Sequence, residues 1–243
     1  MGFTEGRAVR SLIFAIFFVF SSELIASGGV YLGASRIIFD SDREIVPLKV
    51  KNSEKNKVWL IRSWLVGENE KKKSSEFIIT PPLRLLEGEG EVTLRINAID
   101  KEKLPKDRES LFYINVMQIP NKDSEKKANV IGGSIQFSIT HVIKMFYRPK
   151  EIINDTKYNH YPDLYIFDYN GDKYLKNSSP FYVSLSTVKV NDEDIHLENM
   201  LIKPLDGKLK LPRSYEYNDA KISYEYIDDL GSIRKVDMVG KLK

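Results

Sequence analysis

The chain has 243 residues and no cysteine. That excludes disulfides, thiol nucleophiles and thiolate metal ligands, so burial and hydrogen bonding alone must hold the fold. Histidine is nearly as scarce: His141, His160 and His196 lie far apart, and no two stand at the spacing of a metal motif. No serine occupies a G-x-S-x-G elbow, and Gly132-Gly133-Ser134 is not followed by the Lys-Ser/Thr of a phosphate loop. Asp192-Glu193-Asp194 lacks the central glycine and distal glutamate of a calcium loop and reads as a solvated turn. These absences predict a protein without catalytic residues, metal or cofactor.

Long apolar runs are missing too. The longest, Leu12 to Phe20, has nine residues, whereas a membrane-spanning helix needs about 20. With Arg7 and Arg10 before it and Ala26-Ser27-Gly28 after it, residues 1–28 read as a secretory signal, which predicts export and no membrane insertion of the mature chain. Charge of one sign is not concentrated either. Thirty-seven Lys and Arg against 34 Asp and Glu leave a net charge of +3, and the two signs are interspersed, which argues against a nucleic-acid partner. The lysine run Lys71-Lys72-Lys73 is flanked by Glu68, Glu70 and Glu76 and reads as a solvated loop.

What the chain has in quantity is two-residue alternation. Val46, Leu48 and Val50 alternate with polar residues or proline; so do Val92, Leu94 and Ile96, and Phe112, Ile114 and Val116. No helical period of 3.6 competes with this. After a polar connector over 150–161 the alternation restarts with Leu164 to Phe167, a predicted hairpin turn at Asn170-Gly171, then Phe181, Val183 and Leu185, and finally Ile222, Tyr224 and Tyr226. The predicted fold class is all-β, with two immunoglobulin-like sandwiches: an N-terminal domain over 29–149 and a C-terminal domain over 150–243.

One stretch, Ile131 to Pro149, does not fit an ordinary internal strand. Ile135, Phe137 and Ile139 form an apolar row, preceded by Ile131 and a Gly132-Gly133-Ser134 start with little packing of its own. The row gives way at His141-Val142-Ile143 to the cation Lys144, and Arg148 sits just before Pro149. Apolar pegs followed by a positive charge suit an edge that docks another chain ending in a carboxylate. Between Asn121 and Asn129 the sequence is polar and charged, a predicted loop leading into this strand.

The run Ile143-Lys144-Met145-Phe146-Tyr147-Arg148-Pro149 closely resembles the signature of the periplasmic chaperones of the chaperone-usher pilus pathway. Ala34-Ser35-Arg36-Ile37-Ile38-Phe39, Thr80-Pro81-Pro82, Leu104 to Asn115, Ile119-Pro120 and Ile227-Asp228-Asp229-Leu230-Gly231 fall in the family's order and approximate spacing. The resemblance implies two sandwich domains in an L shape with a cleft between them. It implies that Arg36 and Lys144 lie together in that cleft and grip a pilus subunit's C-terminal carboxylate. It further implies that Ile131, Ile135, Phe137 and Ile139 belong to a strand donated to the subunit, and that Glu109, Arg148 and Asp229 form an ionic cluster between the domains. The implied location is the periplasm, and the implied partners are fimbrial subunits and an outer-membrane usher; the exposed edge leaves open whether the free protein self-associates. A rival reading is an exported adhesin or carbohydrate-binding protein using Tyr158, Tyr161, Tyr165 and Tyr169 as a sugar platform; these tyrosines fit alternate strand positions equally well.

Overall fold

The alternation over Ile45–Asn52 becomes a strand whose residues are exposed and buried in strict turn, and the same logic lays out the rest of a computed structural model that describes residues 28–69, 73–121, 137–153, 162–218 and 220–238. In the first domain the strands are β1 (Val30–Leu32), β2 (Arg36–Asp40), β3 (Ile45–Asn52), β4 (Trp59–Gly67), β5 (Phe77–Thr80), β6 (Leu83–Leu86), β7 (Glu91–Ala98), β8 (Ser110–Pro120) and β9 (Ile139–Arg148). They form two sheets, ordered β1-β3-β7-β5 and β2-β9-β8-β4-β6. Their inner faces enclose one core in which Phe39, Leu48, Leu94, Ile96, Ile114 and Met145 are sealed from solvent.

The first two strands belong to different sheets. Val30–Leu32 pairs with β3, but after Gly33-Ala34-Ser35 the chain crosses to the opposite sheet, and Arg36–Asp40 pairs in parallel with Lys144–Arg148 of β9. Only the second half of β9 therefore has a strand on each side. Over Ile139–Ile143 it pairs with Gln118 to Ile114 of β8 along one edge, and no described strand covers the other.

A short helix, α1 (Lys150–Ile153), with Ile152 buried, follows the first domain where the sequence suggested only a polar connector. The second domain contains β10 (Leu164–Tyr169), β11 (Asp172–Asn177), β12 (Val183–Val190), β13 (Glu193–Asp194), β14 (Leu201–Ile202), β15 (Lys208–Lys210), β16 (Ile222–Ile227) and β17 (Ile233–Met238). Its sheets are β10-β11-β15 and β13-β12-β16-β17, with β14 added to β12. The β10–β11 hairpin turns on Asn170 (φ 53°) and Gly171 (φ 76°), the left-handed pair that Asn-Gly favours. Asn191 and Asp192 make a second such turn. There Asp192 bonds Lys221 while Glu193 and Asp194 stay exposed, as a solvated turn requires.

Candidate functional site

Three features meet where the two domains touch: an open strand edge, a pair of cations and a buried ionic cluster.

The edge is the start of β9. The apolar phase of Phe137 and Ile139 continues as Ile143, Met145 and Tyr147, which enter the first domain's core. The sequence reading ended the alternation at His141–Lys144; the strand instead runs unbroken from Ile139 to Arg148, with inward residues changing from exposed to buried along it. Phe137 is 75% exposed, Ile139 54% and, on the other face, Val142 53%. Phe137 precedes the regular strand, and Ile131 and Ile135 lie outside the described residues. A row of large apolar side chains beside an uncovered edge is ordinarily an aggregation hazard, and proteins that keep one use it.

The cations stand where the uncovered edge ends. Arg36 opens β2 and faces Lys144 across the parallel pair, residue for residue. Ile37 and Phe39 take the core face of β2, so Arg36 is left on the outer face with Lys144 and Phe146, its guanidinium 5.9 Å from the Phe146 ring. One terminal nitrogen of Arg36 donates to the Ile227 carbonyl of the second domain at 2.9 Å, while its buried Nε has no hydrogen-bond partner among the described residues. Burial lowers the pKa of Arg36 below the usual value; the charges of Asp229 and Asp228 oppose that shift. Burial also lowers the pKa of Lys144, and the charge of Arg36 lowers it further, with no acid opposing. Lys144 has no ion pair among the described residues. The two cations thus differ: Arg36 is partly compensated by the second domain, and Lys144 is bare.

Behind them lies a cleft of about 210 Å³ between the domains, lined by Arg36, Phe146, Arg148, Tyr182, Asp229 and neighbours. Its floor is the ionic cluster. The Nε of Arg148 donates to Glu109 Oε1 at 2.8 Å, and its two terminal nitrogens donate to the two Asp229 oxygens at 2.7 and 3.0 Å, a bidentate fork across the domain boundary. Phe181 stacks 4.9 Å from the same guanidinium. Glu109 is 3% exposed; its second oxygen accepts from the Tyr182 backbone N–H at 2.8 Å, and its own N–H donates to the Pro180 carbonyl. Burial pushes the Glu109 carboxyl up to about 7 against the pull of Arg148. Burial also disfavours charge on Arg148, but its hydrogen bonds to Asp229 and the charge of Glu109 outweigh that and raise its pKa.

The residues over 29–153 match the family model "Pili and flagellar-assembly chaperone, PapD N-terminal domain", and those over 167–237 match "Pili assembly chaperone PapD, C-terminal domain". The chain belongs to the pilus-assembly chaperone family. Among its relatives, the chaperone protein FocC of Escherichia coli is 35% identical over 91% of this chain and 94% of its own length. Chaperone FimC of Escherichia coli K12 is 34% identical over 86% and 83%. The crystal structure of the periplasmic chaperone SfaE superposes with a TM-score of 0.70 at 31% identity, covering 88% of this chain and all of that one.

Family membership displaces the carbohydrate-binding reading. Tyr158 and Tyr161 lie outside the described residues. Tyr165 and Tyr169 sit with Phe167 at alternate positions of β10, and Lys208 covers the Phe167 and Tyr169 rings at 5.9 and 4.9 Å. Sequence reasoning missed Ile227, whose carbonyl holds Arg36, and Tyr182, whose N–H holds Glu109. Both contribute backbone atoms, which leave no signature in residue type.

Proposed function

We propose that this chaperone captures pilus subunits in the periplasm by lending them the uncovered edge of β9. Main-chain hydrogen bonds along Ile139–Ile143 supply pairing that any extended segment can use, and the alternate side chains Ile131, Ile135, Phe137 and Ile139 fill the subunit's apolar groove. Burying the side chains of Phe137 and Ile139 contributes roughly 1.5–3 kcal/mol each, as an upper bound before ordering costs. The paired cations support the further reading that Arg36 and Lys144 hold the subunit's terminal carboxylate: a carboxylate there would compensate Lys144, bond the free Nε–H of Arg36, and fix which groove pocket each peg enters. Glu109, Arg148 and Asp229 set the interdomain angle. No catalytic step is involved, and the subunit leaves by exchange at an outer-membrane usher. A close structural neighbour, the SafB chaperone of Salmonella enterica, was solved in complex with the SafA pilin, with a TM-score of 0.69 and 25% identity to this chain.

The observation that carries this reading is the position of the Arg36–Lys144 pair at the point where β9 loses its second neighbour. The test uses a peptide copied from a subunit's last strand, as free acid and as amide. Wild-type protein should bind the acid at least tenfold more tightly, and Lys144→Ala and Arg36→Ala should each remove most of that preference. Combining them should add little, since both act on one anion. Equal affinity of the wild type for acid and amide would rule out the carboxylate anchor.

A further inference from the structure

Two buried polar atoms sit without partners among the described residues at the root of the uncovered edge. Along β8 the inward side chains are Phe112, Ile114, Val116 and then Gln118, which is 6% exposed. Gln118 lies between Ile61 of β4 and Ile139 of β9, and the next row inward is Ser63, Val116 and His141. Gln118 and His141 are thus diagonal neighbours on the inner face of the sheet, directly below the exposed Ile139 and Phe137. The carboxamide oxygen of Gln118 and the Nε2 of His141 are both buried, and neither has a hydrogen bond among the described residues. The next row deeper on this face holds Leu65, Ile114 and Ile143, whereas Ile139 and Phe137 beside the pair are exposed.

Burying a polar atom without a partner opposes folding, whereas an apolar group of similar shape would not. Two such atoms on adjacent rows, beside the exposed Ile139 and Phe137, are costly in the free protein and lie where a docked groove would close over them. We infer that Gln118 and His141 form a polar reading site that accepts a hydroxyl or carboxamide side chain of the captured subunit. One such side chain can serve both groups, donating to the Gln118 oxygen and exchanging a hydrogen bond with the imidazole. The apolar pegs would then provide affinity for any subunit groove, and this pair would favour subunits with a polar residue at the junction over subunits that bury an apolar one there. A site that hydrogen-bonds its ligand discriminates strongly against a ligand lacking the group, because its own polar atoms then stay unpaired. This inference rests on the donated-edge reading.

Gln118→Met and His141→Phe keep the shapes and remove the polar atoms. For each, the free protein should melt about 3 °C higher, while the complex with a co-expressed subunit should dissociate about tenfold faster, equivalent to about 1.4 kcal/mol. In a panel of subunit variants carrying Thr, Asn or Val at the residue nearest His141, wild-type protein should hold Thr or Asn over Val, and the double variant should reverse that order. Unchanged dissociation and unchanged ranking, in variants that fold as well as wild type, would overturn the inference. Phe137→Asp is the control on the underlying reading. If it captures subunits normally, the donated edge itself is wrong; if it fails to capture while Gln118→Met and His141→Phe behave as wild type, only the reading site is wrong.

Discussion

At the scale of single residues, the chemistry of this chaperone lies in which charges are compensated. Arg148 has two carboxylates, Arg36 has a carbonyl and the distant field of Asp228 and Asp229, and Lys144 has no ion pair among the described residues. Glu109 gives the residue scale its pH prediction. Its carboxyl is raised from an ordinary value of 4.5 to about 7, so the folded state holds that proton more tightly than the unfolded chain does. The contribution to stability is therefore full below about pH 4.5 and is lost as pH rises through about 7. Its upper bound is about 3 kcal/mol. Urea midpoints measured from pH 5 to 8 should fall with rising pH for the wild type and fall distinctly less for Glu109→Gln. Parallel curves would mean that Glu109 keeps one protonation state across that window. The three residues of the cluster were legible in the sequence only through the family motif, because an acid, a base and another acid spread along the chain carry no periodic signal.

At the scale of elements, the decisive feature is a short strand that changes sheets. Had β2 paired with β3 as β1 does, β9 would lack both its parallel partner and the cation opposite Lys144. Had β1 lain beside β9 as β2 does, the edge would be covered. The strands themselves were readable from alternation, since a half-buried strand must place apolar residues two apart. The sheet change was not, because it depends on pairing over long sequence separation and on three small residues, Gly33, Ala34 and Ser35, that would suit any turn. The length of β9 was misread for a related reason: His141 and Lys144 interrupt the apolar pattern at the positions where the strand passes from an open edge to a covered one. Because Phe137 is so exposed, Phe137→Asp should leave the melting temperature within about 2 °C while abolishing subunit capture, by placing a charge in an apolar groove. Unaltered accumulation of a co-expressed subunit in that variant would remove Phe137 from the docking surface.

At the scale of the whole molecule, the second domain completes the first. It supplies the Ile227 carbonyl to Arg36, Asp229 to Arg148, the Tyr182 N–H to Glu109, and Lys203, which pairs with Glu68 at 2.8 Å. The β16–β17 turn that carries Asp228 and Asp229 approaches so closely that a Cβ on Gly231 would lie 2.5 Å from the Ser35 hydroxyl, next to Arg36. Removing the Asp229 carboxylate should thus act through geometry: Asp229→Ala is expected to broaden the distribution of interdomain angles in small-angle scattering and to lower the melting temperature, with peptide affinity reduced only several-fold. A loss of peptide binding with unchanged scattering and melting would place Asp229 in direct contact with the subunit.

The contact from Arg36 to Ile227 closes 191 residues of chain, which has a consequence in time. Contacts between residues so far apart must wait for the loops between them to be closed, and so they form late in folding. On the proposed reading of Arg36 and Lys144 as a carboxylate anchor, the cations can face their ligand properly only after both sandwiches have condensed and docked. In stopped-flow refolding, the β-sheet circular dichroism signal should therefore recover before binding of a fluorescent free-acid peptide does, with a measurable lag. A chain still emerging into its compartment would then be unable to seize a subunit, and competence to assist another protein's folding would be withheld until the chaperone had finished its own.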